Sequence, residues 1–282
     1  MSFRSLVLGL AASTALAAPA LAQDADVYFE GPYVSGSVSL DAQPNSGSGI
    51  VFDTNQDGAF GDTVRHTSGA DAFSAGFCNG RAISNSAADG CSNDKDGLGY
   101  ALRLGYDTRL NGGPIVAGLL VEGAMSNAKD YSTGFSITPA GYSVSRELDY
   151  ALALRGRLGI SPGDGRGLFY VTGGVGYAKI KHGIETPGNT VNAFTEVNDG
   201  KMVLGGQIGG GAELMLTRNL GIGIEYLHSR YDDDKYFVNV GNSGTTAATN
   251  PFLLVNADGT NLRPSNTAFA THSLRATASL RF

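Results

Sequence analysis

Eight segments of this chain alternate apolar residues with polar or small ones at period two, the spacing at which successive side chains of a β-strand face opposite ways. In Tyr100 to Tyr106, Tyr100, Leu102, Leu104 and Tyr106 share one face while Ala101, Arg103 and Gly105 share the other. Leu148, Tyr150, Leu152, Leu154, Leu158 and Ile160 alternate with Asp149, Ala151, Ala153, Arg155, Arg157 and Gly159. Met202 to Leu214 and His272 to Phe282 repeat the contrast, and the other four segments run from Tyr33 to Leu40, Ile115 to Met125, Phe169 to Lys179 and Leu220 to Ser229.

A water-soluble sandwich also alternates, so the decisive evidence is where the charges fall. A sheet facing water carries many Lys, Glu and Thr on its outer side. Here the polar faces are glycine, alanine and isolated charges, namely Arg103, Glu122, Asp149, Arg155, Arg157, Glu213, Glu225, Arg275 and Arg281. Charges of both signs set among small residues suit a narrow interior, where they pair. The chain is therefore expected to be all-β, an eight-stranded antiparallel up-and-down transmembrane β-barrel with its apolar face to lipid and its polar face to a lumen. Connection lengths point the same way. Three are short (107–114, 161–167 and 217–219) and four are long (41–96, 126–147, 181–200 and 230–270), in strict alternation. Four long extracellular loops and three short periplasmic turns follow, with both chain ends on the short-turn side. Tyr100, Tyr150, Tyr177 and Tyr226 fall toward the long-loop ends and Tyr106, Phe169 and Phe282 toward the other, as two interfacial girdles would.

Met1 to Ala22 has one positive charge at Arg4, a short apolar stretch and an Ala20-Leu21-Ala22 exit, the parts of a secretory signal. Residues 1–22 are thus expected to be a signal peptide and 23–282 the barrel domain. Mean hydropathy is −0.05 and no later run of eighteen apolar residues occurs, which excludes a helical membrane protein. The 41 glycines have no three-residue period and only 9 prolines accompany them, so collagen and linker readings fail. A net charge of −6 argues against a nucleic-acid partner. Two cysteines, Cys78 and Cys91, in an exported chain imply a disulfide.

The segments Gly31-Pro32-Tyr33-Val34-Ser35-Gly36-Ser37-Val38, Ala153-Leu154-Arg155-Gly156-Arg157-Leu158-Gly159, Tyr170-Val171-Thr172-Gly173-Gly174-Val175-Gly176-Tyr177 and the terminal Leu280-Arg281-Phe282, in this order, carry a resemblance. The chain resembles the small outer-membrane β-barrel superfamily, which includes the OmpA-type transmembrane domain and porin-like surface antigens, over nearly its whole length after the signal. The resemblance implies residence in the outer membrane of a Gram-negative bacterium, with outer-membrane lipid as a partner. It also implies that Phe282, with Leu280 and Ala278 on its face, is the signal read by the outer-membrane insertion machinery. About activity it implies little, because one fold hosts many functions.

Candidate chemistry is sparse. Asp53-Thr54-Asn55-Gln56-Asp57-Gly58 places oxygen side chains at positions one, three and five and glycine at six, as a calcium loop does, with Asp62 as a further carboxylate. Val64 stands at position twelve in place of the bidentate Glu, and the alternative is a surface loop rich in Asx turns. Calcium is thus the one cofactor considered, in the first long loop. Gly76-Phe77-Cys78-Asn79-Gly80 has the outline of a nucleophile elbow but lacks the strand-turn-helix setting. His182, His228 and His272 are scattered near the outer rim, and the adjacent His272 and Ser273 point to opposite faces and do not act together. The chain is not expected to be an enzyme. The leading expectation is a structural and surface-interaction role, with the surface ligand open, and the alternative is a narrow porin-like channel for small solutes. Eight strands leave an interior wide enough only for side chains, which favours the first.

Overall fold

The computed structural model describes residues 28–44 and 48–282, so the expected signal peptide, residues 1–22, lies outside the described residues. Eight long strands form the frame: β1 (Gly31–Ala42), β2 (Gly97–Arg109), β3 (Ile115–Ser126), β4 (Ala140–Ile160), β5 (Gly167–Glu185), β6 (Met202–Met215), β7 (Leu220–Asp232) and β8 (Ala268–Arg281). Each pairs antiparallel with its neighbours in sequence, and β8 returns to β1, with Val34 opposite Leu280 on one side and Leu104 on the other. The sheet therefore closes into a barrel without edges, leaving no row of unpaired backbone groups in lipid.

The faces are inverted relative to a water-soluble protein. Leu102, Leu119, Leu152, Val171, Ile208 and Ile224 point outward, Ile208 with 66% of its surface exposed. Ser35, Ser39, Arg103, Arg155 and Glu225 are buried inside. The girdle aromatics are all exposed, but Tyr150 and Tyr226 stand mid-strand, because β4 and β7 run on past them.

Inward tyrosines shape the interior together with glycine. Tyr33 lies opposite Gly105, Tyr170 opposite Gly211 and Tyr231 opposite Gly205. A Cβ on Gly105 would stand 2.3 Å from the Tyr33 ring, and one on Gly205 would stand 2.4 Å from that of Tyr231. In this part of the sheet, glycine makes room for a cross-strand ring.

The strands do not stop at the membrane. About 9–11 residues of a tilted strand cross the hydrocarbon, yet β4 has 21 residues and β5 has 19. Their outer halves stand in the extracellular space. There the segment expected to be a loop at 126–147 is instead a hairpin, Lys129–Ser136 pairing with the outer half of β4. The other long connections are also structured. Ile50–Asp53, Asn192–Val197, Phe237–Asn242 and Thr260–Pro264, from three different connections, form a four-stranded antiparallel sheet. Phe52, Phe73, Tyr142, Val238, Phe252 and Leu262 pack as its core. This capping layer is a second hydrophobic nucleus outside the membrane, built from short alternating runs such as Phe237-Val238-Asn239-Val240.

Candidate functional site: the closed lumen and its cap

Glu122 on β3 and Glu225 on β7 face each other across the interior, with Arg103, Arg155 and Arg275 between them. Arg103 Nε donates to Glu122 Oε2 at 2.6 Å and its Nη2 to Glu225 Oε1 at 2.6 Å. Arg155 Nη2 donates to Glu122 Oε2 at 2.6 Å, and Arg275 Nη1 to Glu122 Oε1 at 2.9 Å. The Tyr170 hydroxyl donates to Glu225 Oε2 at 3.0 Å. A second layer lies toward the short turns. Arg157 binds Asp107, with Nε 2.7 Å from Oδ1, and reaches Glu213 Oε2 at 3.1 Å. Arg281 Nη2 is 2.8 Å from Asp107 Oδ2, and the Ser279 hydroxyl donates to Glu213 Oε1 at 2.6 Å. The Arg157 guanidinium also lies over the Tyr33 ring, 4.7 Å from its centroid. Buried charges are tolerable in this number because each carboxylate meets more than one guanidinium.

Eight of the nine charges expected in the lumen thus stand there. Asp149 does not. Opposite β5 the pairing passes from Tyr150–Lys179 directly to Leu148–Ile180, leaving Asp149 as the extra residue of a β-bulge. One inserted residue reverses the faces beyond it, so Leu148 turns inward while Asp149 turns outward and pairs with Lys179 at 3.2 Å, its side chain 38% exposed. Asp107, assigned from sequence to a turn, is instead a fully buried lumen residue, because β2 continues to Arg109.

Both mouths are closed. At the short-turn end the Phe29 ring is fully buried against Val116, Leu168, Tyr170 and Met215. Arg109 Nε donates to the Tyr28 carbonyl at 2.7 Å, and the Arg281 guanidinium lies 4.7 Å from the Phe29 ring centroid. At the outer end Leu148, Ile180, Tyr231 and Phe269 pack together across the opening. Between that layer and the upper charges, the space beside Ser39, Gln207, Tyr231 and Arg275 is about 10 Å³, roughly one water.

His182 joins barrel and cap. Its Nε2 is 2.8 Å from Asp233 Oδ2, its Nδ1 is 3.1 Å from Asp199 Oδ1, and its ring stacks on Tyr236 at 3.7 Å. Burial and the Glu196 carboxylate, which accepts from the Tyr236 hydroxyl at 2.8 Å, hold that phenol well above its ordinary range. His228 and His272 lie on the outward face, their ring centroids 4.6 Å apart, with the Tyr226 hydroxyl 2.6 Å from His272 Nδ1.

In the first loop, the Asp53 carboxylate accepts the amides of Asp57 and Gly58, each at 3.1 Å, and Asn55 Nδ2 donates to Asp57 Oδ2 at 3.0 Å. Asp62 Oδ2 accepts from the Thr54 amide at 2.9 Å and from its hydroxyl at 2.8 Å. These oxygens tie the loop to itself in Asx-type turns. Val64, where a calcium loop has its bidentate Glu, is buried in the cap core. Among the described residues no three His, Cys, Asp or Glu side chains converge as a metal-holding group. Cys78 and Cys91 are joined by a disulfide, their Cα atoms 6.2 Å apart. Gly76–Asn79, where the elbow outline falls, is a strand paired with Lys129–Ser136.

Three solved structures show how the described architecture compares. OprG from Pseudomonas aeruginosa, an outer membrane protein, aligns with a TM-score of 0.50 at 10% identity, covering 92% of this chain and 100% of its own. Neisserial surface protein A aligns at 0.36 with 8% identity, covering 90% and 98%, and Ail of Yersinia pestis, solved with a heparin analogue, at 0.33 with 11% identity, covering 90% and 99%. At these identities the likeness to OprG is one of fold alone. Among curated protein sequences none matches the chain. The profile of the outer membrane protein beta-barrel domain, however, matches residues 8–250, and the chain belongs to that family.

Proposed function

We propose that this protein is a closed, non-enzymatic barrel of the Gram-negative outer membrane whose role is structural and whose ordered cap meets ligands at the cell surface. The observation that carries this reading is the filled interior: two layers of paired charges, a buried Phe29 below and an apolar layer above. Export through the leader at 1–22 and insertion through the terminal strand ending at Phe282 complete the proposal. The exposed girdles support lipid as the surrounding partner. Single-channel recording in a planar bilayer tests it, with no steady openings expected. Steady openings whose selectivity changes in Arg155→Ala would instead establish the narrow porin-like channel.

A further inference from the structure

We propose that the cap carries a binding pocket for a single neutral pyranose ring. This deepens the surface-interaction reading and rests on it. The pocket lies where all four long connections meet, each contributing to its lining: His66, Tyr142, Asn189 and Phe252 come from different ones. Its volume is about 220 Å³, below the roughly 300–1,000 Å³ of pockets for drug-sized ligands and suited to one saturated ring.

Its chemistry is two-sided. Phe73, Tyr142 and Phe252 meet in one aromatic cluster with centroids 5.2 to 5.9 Å apart, giving an apolar wall. A chain of side-chain amides shares the lining. Asn189 Nδ2 donates to the Tyr142 hydroxyl and to Asn192 Oδ1, both at 2.9 Å, and Asn250 Nδ2 reaches Asn192 Oδ1 at 3.3 Å. Asn189 is saturated, its oxygen accepting the Val191 and Asn192 amides, but one amide hydrogen of Asn192 and one hydrogen and one lone pair of Asn250 are left for a ligand. His66, also in the lining, has a buried Nε2 with no hydrogen-bond partner. Leaving such an atom unpaired is costly, and a turn of the partly exposed His66 ring toward the cavity lets a ligand hydroxyl, which donates or accepts, satisfy either tautomer.

Charge supplies the selectivity. The lining contains no Asp, Glu, Lys or Arg, although the chain has 26 acidic and 20 basic residues. An ionic ligand would be desolvated there without a counter-charge, and a purely apolar one would leave the amides and His66 unanswered. A pyranose matches both sides, its C–H face against the aromatic rings and its hydroxyls against the amides.

The test is saturation-transfer NMR on the full-length barrel in a detergent without a sugar headgroup. The probes are methyl glucoside, methyl galactoside, methyl mannoside and a neutral disaccharide, with glucuronic acid and cyclohexanol as controls. Saturable transfer to a methyl pyranoside supports the proposal for a free sugar, and saturation by the disaccharide alone supports it for the terminal residue of a glycan. His66→Ala should weaken binding about fivefold, the equivalent of one neutral hydrogen bond. Thr190→Trp, at an exposed position of the lining, should abolish it while leaving heat-dependent gel mobility unchanged. The proposal is overturned if no neutral sugar saturates, if binding survives Thr190→Trp, or if glucuronic acid or cyclohexanol binds better than every neutral sugar. A protein that binds no sugar and conducts no ions loses the pocket but keeps the closed barrel, whereas one that conducts while binding sugar loses the closed barrel and keeps the pocket.

Discussion

At the scale of single residues, burial separates charges that look alike in sequence. Glu122 is fully buried between three guanidiniums, and removing one partner of a buried pair costs about 3–5 kcal/mol because the others stay buried and uncompensated. Glu122→Ala is expected to lose that much in urea unfolding of the lipid-reconstituted protein. Asp149→Ala, breaking a pair more than a third exposed, should change stability by less than about 1 kcal/mol. Equal losses from the two would place Asp149 back in the lumen. Neither the bulge nor the inward Asp107 was legible, for different reasons. Leu148-Asp149-Tyr150 continues an unbroken apolar-polar alternation, and the flip depends on pairing with β5. Asp107 is followed by Thr-Arg-Leu-Asn-Gly-Gly-Pro, whose turn residues hide where the strand ends.

At the scale of elements, the eight long strands were readable because each keeps its period over at least seven residues, as Tyr100 to Tyr106 does. The capping sheet was not, because its strands have only four to six residues and pair between distant connections, Asn261 of the last long loop with Asp53 of the first. Local pattern carries little information about such partners. The disulfide lies outside the capping sheet, Cys78 standing on the strand paired with Lys129–Ser136. It joins cysteines 13 positions apart, a closure that contributes about 3 kcal/mol in the chain-entropy account. Reduction is therefore expected to speed proteolysis within 79–90 several-fold while the barrel strands stay protected, as mass spectrometry of the fragments would show. Unchanged cleavage would mean that packing against Lys129–Ser136 holds the loop without the cross-link.

For the whole molecule, closure is redundant. Phe29 seals the short-turn mouth with a fully buried ring, so Phe29→Ala should cost about 3–5 kcal/mol of stability yet produce no conductance, since both charge layers remain above it. Steady current through that variant would make the N-terminal segment the gate. The facing of tyrosine and glycine has a further consequence. Sliding one strand past its neighbour by two positions keeps every lipid-facing residue toward lipid, so hydrophobicity alone cannot detect the slip. Such a slip moves Tyr33 away from Gly105 and Tyr231 away from Gly205 and drives each ring against a Cβ. Gly105→Ala, which puts a methyl group there permanently, should cost about 1–3 kcal/mol and be partly rescued by Tyr33→Ala. The tyrosines thus proofread strand alignment, and only a correctly staggered chain can bring its last strand home to its first.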